Sequence, residues 1–203
     1  WNPAELRALA DFAIQNDLWI VSDEVWGDLV YPPHRLTSMA SLGQDVADRT
    51  FTVTGFSKNY ALAGLRLGVL VSPSAEVQQQ VVKMAHADET AYGVPTLSQI
   101  AGIAAYTQGD AWLRRFVRHL QLRRDQAVGR LRQMPGITCH IPQGTFVTFP
   151  RYSGINMNAV ELVDYLREEH KVALVPGSPR FFGPAAAGHL RISYATSKGI
   201  LHE

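Results

Sequence analysis

The chain has 203 residues, of which 46% are hydrophobic and 18% are charged, and its formal net charge is +1. This composition is typical of a globular protein, and the near-zero charge indicates no nucleic-acid partner and no membrane surface. The single cysteine, Cys139, excludes a disulfide within the chain and favours a reducing, cytoplasmic compartment. No apolar run approaches the roughly 20 residues that a membrane-spanning helix requires.

The first half of the chain alternates helix and strand patterns. Apolar residues recur at helical spacing between residues 3 and 16, after Asn2, which suits a helix cap, and Pro3, which suits the first helical position. The apolar runs LWIV, TFTVT and LGVLV, at 18–21, 50–54 and 67–71, predict buried strands. Helices are predicted over 74–90 and 95–107. This alternation indicates an α/β unit.

A long amphipathic helix is predicted from Asp110 to about Met134, where Pro135 and Gly136 end it. The patterns beyond it are shorter, with strands near 137–141, 145–149, 172–175 and 189–194 and a helix over 158–170. We therefore predict two parts, residues 1–110 and an α+β part over 111–203 that includes the linking helix. Because helix patterns stand at both chain ends and Trp1 opens the chain, we interpret it as an excerpt of a longer protein.

Three charged residues fall at predicted strand ends. Asp23 ends the first strand, and Lys58 closely follows the second. Arg66 follows Lys58 by only eight positions, whereas a parallel crossover needs about a dozen residues or more. The third strand is therefore predicted to be antiparallel, which returns Arg66 to the same sheet edge, where ligands bind in open α/β sheets.

An acid, an amine and a guanidinium at one edge suit pyridoxal 5'-phosphate (PLP). An amine forms a Schiff base with the PLP aldehyde, a carboxylate keeps the pyridine nitrogen protonated, and an arginine grips the phosphate. The spacing alone is equally compatible with another interpretation, in which Lys58 and Arg66 are solvated loop cations and Asp23 caps the end of a strand.

The residues around Lys58 carry a more specific signal. The segment over 55–68, GFSKNYALAGLRLG, closely resembles the lysine segment of class I/II aminotransferases. The segment SDEV at 22–25 resembles the strand-end acid of that family, and Pro176, Gly177 and RISYA at 191–195 resemble its closing segment. The chain thus resembles the C-terminal portion of a PLP-dependent aminotransferase of the aspartate-aminotransferase fold, fold type I.

The resemblance implies a fold, an activity and a set of roles. The fold would be part of the large PLP-binding domain, with a mostly parallel sheet and one antiparallel strand, followed by a small α+β domain. The enzyme would be a homodimer that moves an amino group between an α-amino acid and a 2-oxo acid, with Lys58 as the Schiff-base lysine and proton shuttle. Asp23 would pair with the pyridine nitrogen, Arg66 and Ser57 would lie near the phosphate, and Arg191 would bind the substrate α-carboxylate.

Two positions depart from the family pattern. Trp26 stands where many members carry a tyrosine that hydrogen-bonds the ring oxygen of the cofactor, and an indole N–H can donate but cannot accept or ionise. We keep Trp26 as a cofactor-binding residue whose effect is different from that of tyrosine. Gly55 stands where several members carry a phosphate-binding serine, a role for which Ser57 could compensate. Tyr31 is interpreted as a core or rim aromatic.

Two other functions fit parts of the pattern. Carbon–sulfur β-lyases of the cystathionine β-lyase type share a strand-end SDE followed by a nonstandard residue, although LAGLRLG is more typical of aminotransferases. Transcription regulators with a PLP-sensing, non-enzymatic domain have a lysine-to-arginine step that is typically one residue shorter. No metal is predicted, because the chain contains neither HExxH nor a Cys/His ligand spacing. The substrate side chain is not identified, beyond a preference for a small or aromatic amino acid.

Overall fold

The computed structural model describes residues 1–89 and 93–201. The chain divides into two compact units, Trp1–Arg114 and Arg115–Glu203. The sequence predicted a division near residue 110, and the observed division lies four residues later, inside the same long helix. That the units correspond to a large and a small domain of a longer enzyme stays a prediction.

The first unit alternates helices and strands. Its elements are α1 (Pro3–Gln15), β1 (Ile20–Asp23), a 3-10 turn (Met39–Leu42), α2 (Gln44–Ala47), β2 (Thr50–Gly55), α3 (Phe56–Asn59), a 3-10 turn (Ala63–Leu65), β3 (Gly68–Val71), α4 (Ala75–Met84), α5 (Thr96–Gln108) and the beginning of α6 (Asp110–Leu131). Helix α1 begins as predicted, because the Asn2 side chain accepts from Glu5 N–H and the Glu5 carboxylate accepts from Asn2 N–H.

The sheet of the first unit has the order β1–β2–β3. Strand β1 pairs with β2 in parallel, with Asp23 opposite Val53. Strand β3 pairs with β2 in the antiparallel sense, with Gly68 opposite Gly55. The α/β fold and the antiparallel third strand are confirmed. The ends of β1 and β2 and the beginning of β3 therefore share one edge of the sheet.

Helix α1 packs its apolar stripe against a short segment that follows β1. Leu6 and Ala10 form a buried cluster with Met39 and Val46. Burial of the Leu6, Met39 and Val46 side chains contributes about 1.5–3 kcal/mol each. The cluster therefore fixes α1 against the chain that connects β1 to β2.

Helix α4 is shorter than predicted. It ends at Met84, and His86 has a φ of 52°, a left-handed conformation that an α-helix cannot continue. The predicted helix end at residue 90 lies outside the described residues.

The second unit contains the later part of α6 and a small antiparallel system. Its further elements are β4 (Ile137–Thr138), β5 (Val147–Thr148), β6 (Arg151–Tyr152), α7 (Ala159–His170), β7 (Val175–Pro176), α8 (Pro179–Phe182), a 3-10 turn (Pro184–Ala186) and β8 (Leu190–Ser193). Strand β8 lies between β5 and β7, and β4 pairs with β6. Helix α7 covers one side of these strands, where Leu162 and Val163 pack with Tyr152 and Leu190.

Two arginines of the long helix region donate hydrogen bonds to the backbone that follows the helix. Arg124 Nη1 donates to the carbonyl of Pro142 at 2.9 Å, and Arg132 Nε donates to the carbonyl of Cys139 at 2.9 Å. Cys139 is buried, with Sγ 3.0 Å from Thr148 Oγ1. These bonds attach the connection after α6 to the strands. Within residues 1–89 and 93–201, no helix has both the length and the apolar character needed to cross a membrane.

Candidate active site

Two adjacent acids at the end of β1 have different surroundings. Asp23 is exposed at the sheet edge, and its Oδ1 accepts from the Val25 N–H at 3.1 Å. Glu24 turns the other way, and its Oε1 accepts from Ser22 Oγ at 2.9 Å, Ser38 Oγ at 2.8 Å and Met39 N–H at 3.1 Å. Glu24 therefore fixes the chain around Asp23, while Asp23 retains acceptor capacity for a ligand.

Lys58 lies on α3, a short helix that begins directly where β2 ends. Phe56 and Asn59 are buried on either side of the segment, whereas Ser57 and Lys58 are only partly covered. The backbone N–H of Phe56 donates to the carbonyl of Leu67, which closes the loop between β2 and β3 at its base. The amine of Lys58 is thus carried by a segment anchored at both flanks.

Asn59 attaches the lysine segment to the chain that follows β1. Its Nδ2 donates to Asp28 Oδ2 at 2.8 Å and to the carbonyl of Gly55 at 3.4 Å. Partial burial raises the pKa of the Asp28 carboxyl, and the nearby charge of Asp110 raises that pKa further. Burial also raises the pKa of the Tyr60 and Tyr106 phenols, and the nearby charge of Asp28 raises both pKa values further.

The raised pKa of Asp28 predicts a pH-dependent stability effect. A carboxyl whose pKa is higher in the folded state favours the fold while it is protonated, and this contribution is lost as the pH rises through the folded pKa. Asp28→Asn keeps an oxygen acceptor for Asn59 and removes the charge. It is expected to raise the unfolding midpoint by roughly 1–3 °C at pH 7, and to give no advantage below about pH 4.

Thermal unfolding monitored by circular dichroism between pH 3 and pH 8 measures this effect. Asp17→Asn serves as the control, because the Asp17 side chain is 100% exposed and its ion pair with Arg49, at 3.6 Å, is a surface pair that contributes little. An Asp28→Asn protein that is no more stable than the parent at pH 7 would contradict the assigned cost of burial.

Trp26 contacts Lys58. The Lys58 Nζ lies 5.6 Å from the centroid of the Trp26 ring, within the range of a cation–π interaction. The sequence assigned Trp26 to the cofactor, and this contact with the lysine was not foreseen. An aromatic residue three positions after the strand-end acid was the available signal.

Arg66 lies two positions before β3, with a left-handed φ of 52°. Gly55, opposite Gly68, explains one departure from the family pattern, because a Cβ there would lie 3.2 Å from the Leu67 carbonyl oxygen. A serine at position 55 would therefore be crowded, so a hydroxyl at this edge has to come from elsewhere, and Ser57 supplies one.

Helix α5 packs against the loop that connects β2 to β3. Ser98 Oγ donates to the carbonyl of Leu65 at 2.7 Å. A Cβ on Gly102 would lie 2.6 Å from Leu67 Cδ2 and 3.4 Å from Phe56 Cζ, so a larger residue there would displace the Leu67 side chain. The rings of Phe56 and Tyr106 are 4.6 Å apart at their centroids. Packing therefore fixes the backbone that carries Lys58 and Arg66.

The first unit thus places Asp23, Ser57, Lys58 and Arg66 at one edge of its sheet, and their roles there stay a prediction. Neither the Lys58 amine nor the Arg66 guanidinium forms an ion pair with residues 1–89 or 93–201. This edge therefore offers a carboxylate, an amine, a guanidinium and a hydroxyl that can still bind a ligand. Such a set suits a ligand that combines a protonated ring nitrogen, an aldehyde and a phosphate. PLP has these three groups, and the donor set fits it.

Arg191 belongs to the second unit. It lies on β8, its side chain is exposed, and it pairs across the strands with Val175. The guanidinium has no ion pair or side-chain hydrogen bond with the described part of the chain.

Comparison with known proteins decides the family. The family model for aminotransferase class I and II matches residues 1–201. The chain belongs to this family. The resemblance inferred from the lysine segment, the strand-end acid and the closing segment is therefore confirmed.

Similar proteins include aminotransferases named for different substrates. The chain is 36% identical over 201 residues to the aromatic-amino-acid aminotransferase 2 of Thermococcus litoralis, covering 98% of this chain and 50% of that protein. It is equally identical, with the same coverage, to the aspartate aminotransferase of Pyrococcus abyssi. The crystal structure of the aromatic aminotransferase from Pyrococcus horikoshii has a TM-score of 0.86 and 33% identity, covering 99% of this chain and 52% of that one. The chain spans about half the length of these relatives.

Proposed function

We propose that the protein containing this chain is a PLP-dependent aminotransferase that moves an amino group between an α-amino acid and a 2-oxo acid. The observation that carries the proposal is the convergence of Asp23, Lys58 and Arg66 at one sheet edge, with the acceptor and donor capacity that PLP requires. The names of the similar proteins support transamination over the β-lyase and regulator alternatives.

Five residues of the first unit would hold the cofactor. Arg66 would bind the phosphate through two parallel hydrogen bonds, and the Ser57 hydroxyl would add a third donor. The Asp23 carboxylate would hold the ring nitrogen in its protonated form. Lys58 would carry the cofactor covalently, with the Trp26 ring beside its amine.

When bound, PLP supplies an electron sink for the charge that develops at the substrate α-carbon. The Lys58 Nζ would act as the base that removes the substrate α-proton and then as the acid that returns it. By resemblance to the family, Arg191 would bind the substrate α-carboxylate through its guanidinium fork. Both proton movements would thus be carried out by one amine, and a water would release the 2-oxo acid.

The remaining expectations belong to the same proposal. The substrates are small amino and oxo acids, the assembly is a homodimer, and the compartment is the cytoplasm. The single cysteine supports the last of these.

An absorbance experiment on the intact protein tests the proposed function. PLP is added, the spectrum is recorded before and after addition of an amino-acid mixture, and borohydride reduction is followed by peptide mapping. We expect a cofactor band that is trapped on Lys58, that shifts on addition of amino acid, and that returns when a 2-oxo acid is supplied. Trapping without a reversible shift would contradict transamination, and pyruvate and ammonia released from cystathionine would establish the β-lyase instead.

A further inference from the structure

The strands of the second unit place an aromatic residue beside Arg191. Thr148 pairs with Ile192, and Arg151 forms a bridge with His189, so one continuous antiparallel register places Phe149 opposite Arg191. On its other side Arg191 is opposite Val175. Directly opposite residues in paired strands point to the same face. Arg191 is therefore flanked by Phe149 and Val175 on one face of the sheet.

That face is not the one that α7 covers. Leu190 packs in the cluster with α7, and Arg191, the next residue on β8, points the opposite way. On the open face the Phe149 ring stacks on His189, with centroids 5.1 Å apart and an interplanar angle of 9°. The Phe182 ring lies 5.2 Å from Phe149. Three rings thus form an aromatic wall, consisting of Phe149, Phe182 and His189, next to an unpaired guanidinium.

A guanidinium beside an aromatic wall recognises a carboxylate attached to an apolar body. The fork of Arg191 binds a carboxylate in a bidentate manner, and the adjacent rings offer an apolar surface that gains from burial. We propose that this face selects amino and oxo acids with a large apolar side chain, aromatic ones above all, and that Phe149 determines this specificity. The inference rests on the proposed function and names its substrate class.

A second carboxylate on the substrate fits this face less well. Arg151 lies on the same face, opposite His189 and therefore diagonal to Arg191. The other diagonal of the same four residues joins Phe149 and His189, whose rings are stacked. The stacked rings occupy the space between the two guanidinium groups, which disfavours a dicarboxylate that bridges them.

Binding of unreactive carboxylates to the intact, PLP-loaded protein tests the inference without catalysis. The probes are 3-phenylpropanoate, propanoate and succinate, and isothermal titration calorimetry measures their affinities. We expect 3-phenylpropanoate to bind about tenfold more tightly than propanoate, the upper range for an aromatic pair. Equal affinities would overturn the proposal. Binding of succinate more tightly than 3-phenylpropanoate would also overturn it and would indicate that Arg151 binds a second carboxylate.

Variants assign the preference to Phe149. Phe149→Ala is expected to reduce the affinity for 3-phenylpropanoate roughly tenfold, and to leave the affinity for propanoate within about twofold. Phe149→Leu keeps most of the apolar volume, so it should lose roughly threefold, and it carries the test if the alanine variant does not fold. Tyr165→Ala is the control, because Tyr165 lies on α7 and should change neither value. A Phe149 variant that weakens both probes equally would overturn the assignment.

Kinetics separate this inference from the proposed function. In a protein that transaminates, Phe149→Ala should lower kcat/KM for phenylalanine about tenfold through KM, with little change for alanine. A protein that binds 3-phenylpropanoate preferentially but does not transaminate would refute the proposed function and leave the inference intact. A protein that transaminates without preferring 3-phenylpropanoate would support the proposed function and refute the inference about Phe149.

Discussion

Lys58→Ala is expected to reduce the rate of amino-group transfer by about 10⁴-fold, because it removes both the attachment point of the cofactor and the base that moves the α-proton. General acid–base catalysis alone accounts for about 10²–10⁴-fold. The anchors of the segment, Phe56 and Asn59, are untouched by the change. The variant should therefore fold normally while losing function.

Single-turnover kinetics with PLP-loaded protein measure the loss, and borohydride reduction should no longer attach PLP to the peptide containing position 58. Lys83→Ala is the matched control, since Lys83 is an exposed lysine near the end of α4. Lys58→Arg keeps the positive charge beside Trp26 but cannot lose its proton, so it should be as inactive as the alanine variant. Native turnover in Lys58→Ala would refute the proposed function.

Asp23→Asn is expected to reduce the transfer rate by about 10²-fold, the value of one lost bond to a charged group. The asparagine keeps an oxygen for the Val25 N–H, so the local turn survives. It lacks the negative charge that holds the ring nitrogen protonated. Asp23→Glu restores the charge at a displaced position and should recover part of the rate.

The pH dependence of the cofactor band provides a second measurement for Asp23. Loss of the carboxylate should allow the ring nitrogen to deprotonate at lower pH, whereas the control Asp17→Asn should leave the band unchanged. Asp17 tolerates asparagine, because its φ of 49° is a left-handed conformation that asparagine adopts readily. An Asp23→Asn protein with the parental rate and spectrum would exclude the proposed role of this acid.

Several features of the fold could be predicted because they depend on short-range rules. The eight-residue step from Lys58 to Arg66 is too short for a parallel crossover, which makes β3 antiparallel. The cap at Asn2 and Glu5 is equally local. The family assignment followed from three segments that keep their order along the chain.

Other features depend on contacts between distant parts of the chain. Asn59 bonds to Asp28, 31 positions away, and nothing in either residue's own neighbourhood specifies that partner. The contact between Trp26 and Lys58 likewise arises from the pairing of β1 with β2. Short strands such as β5 could be located to within a few residues, but their register, which places Phe149 beside Arg191, required the structure.

The three bonds accepted by Glu24 have a consequence for how this protein could vary. They join Ser22, before the loop that leaves β1, to Ser38 and Met39, where that loop returns. Because the two ends are held together, an insertion between residues 33 and 36, which are exposed and follow the buried Leu29 and Tyr31, would cost only the slowly growing entropy of a longer closed loop. The position of Asp23 would not change. This segment is therefore the place where new sequence can be grafted beside the candidate site with the least disturbance to it.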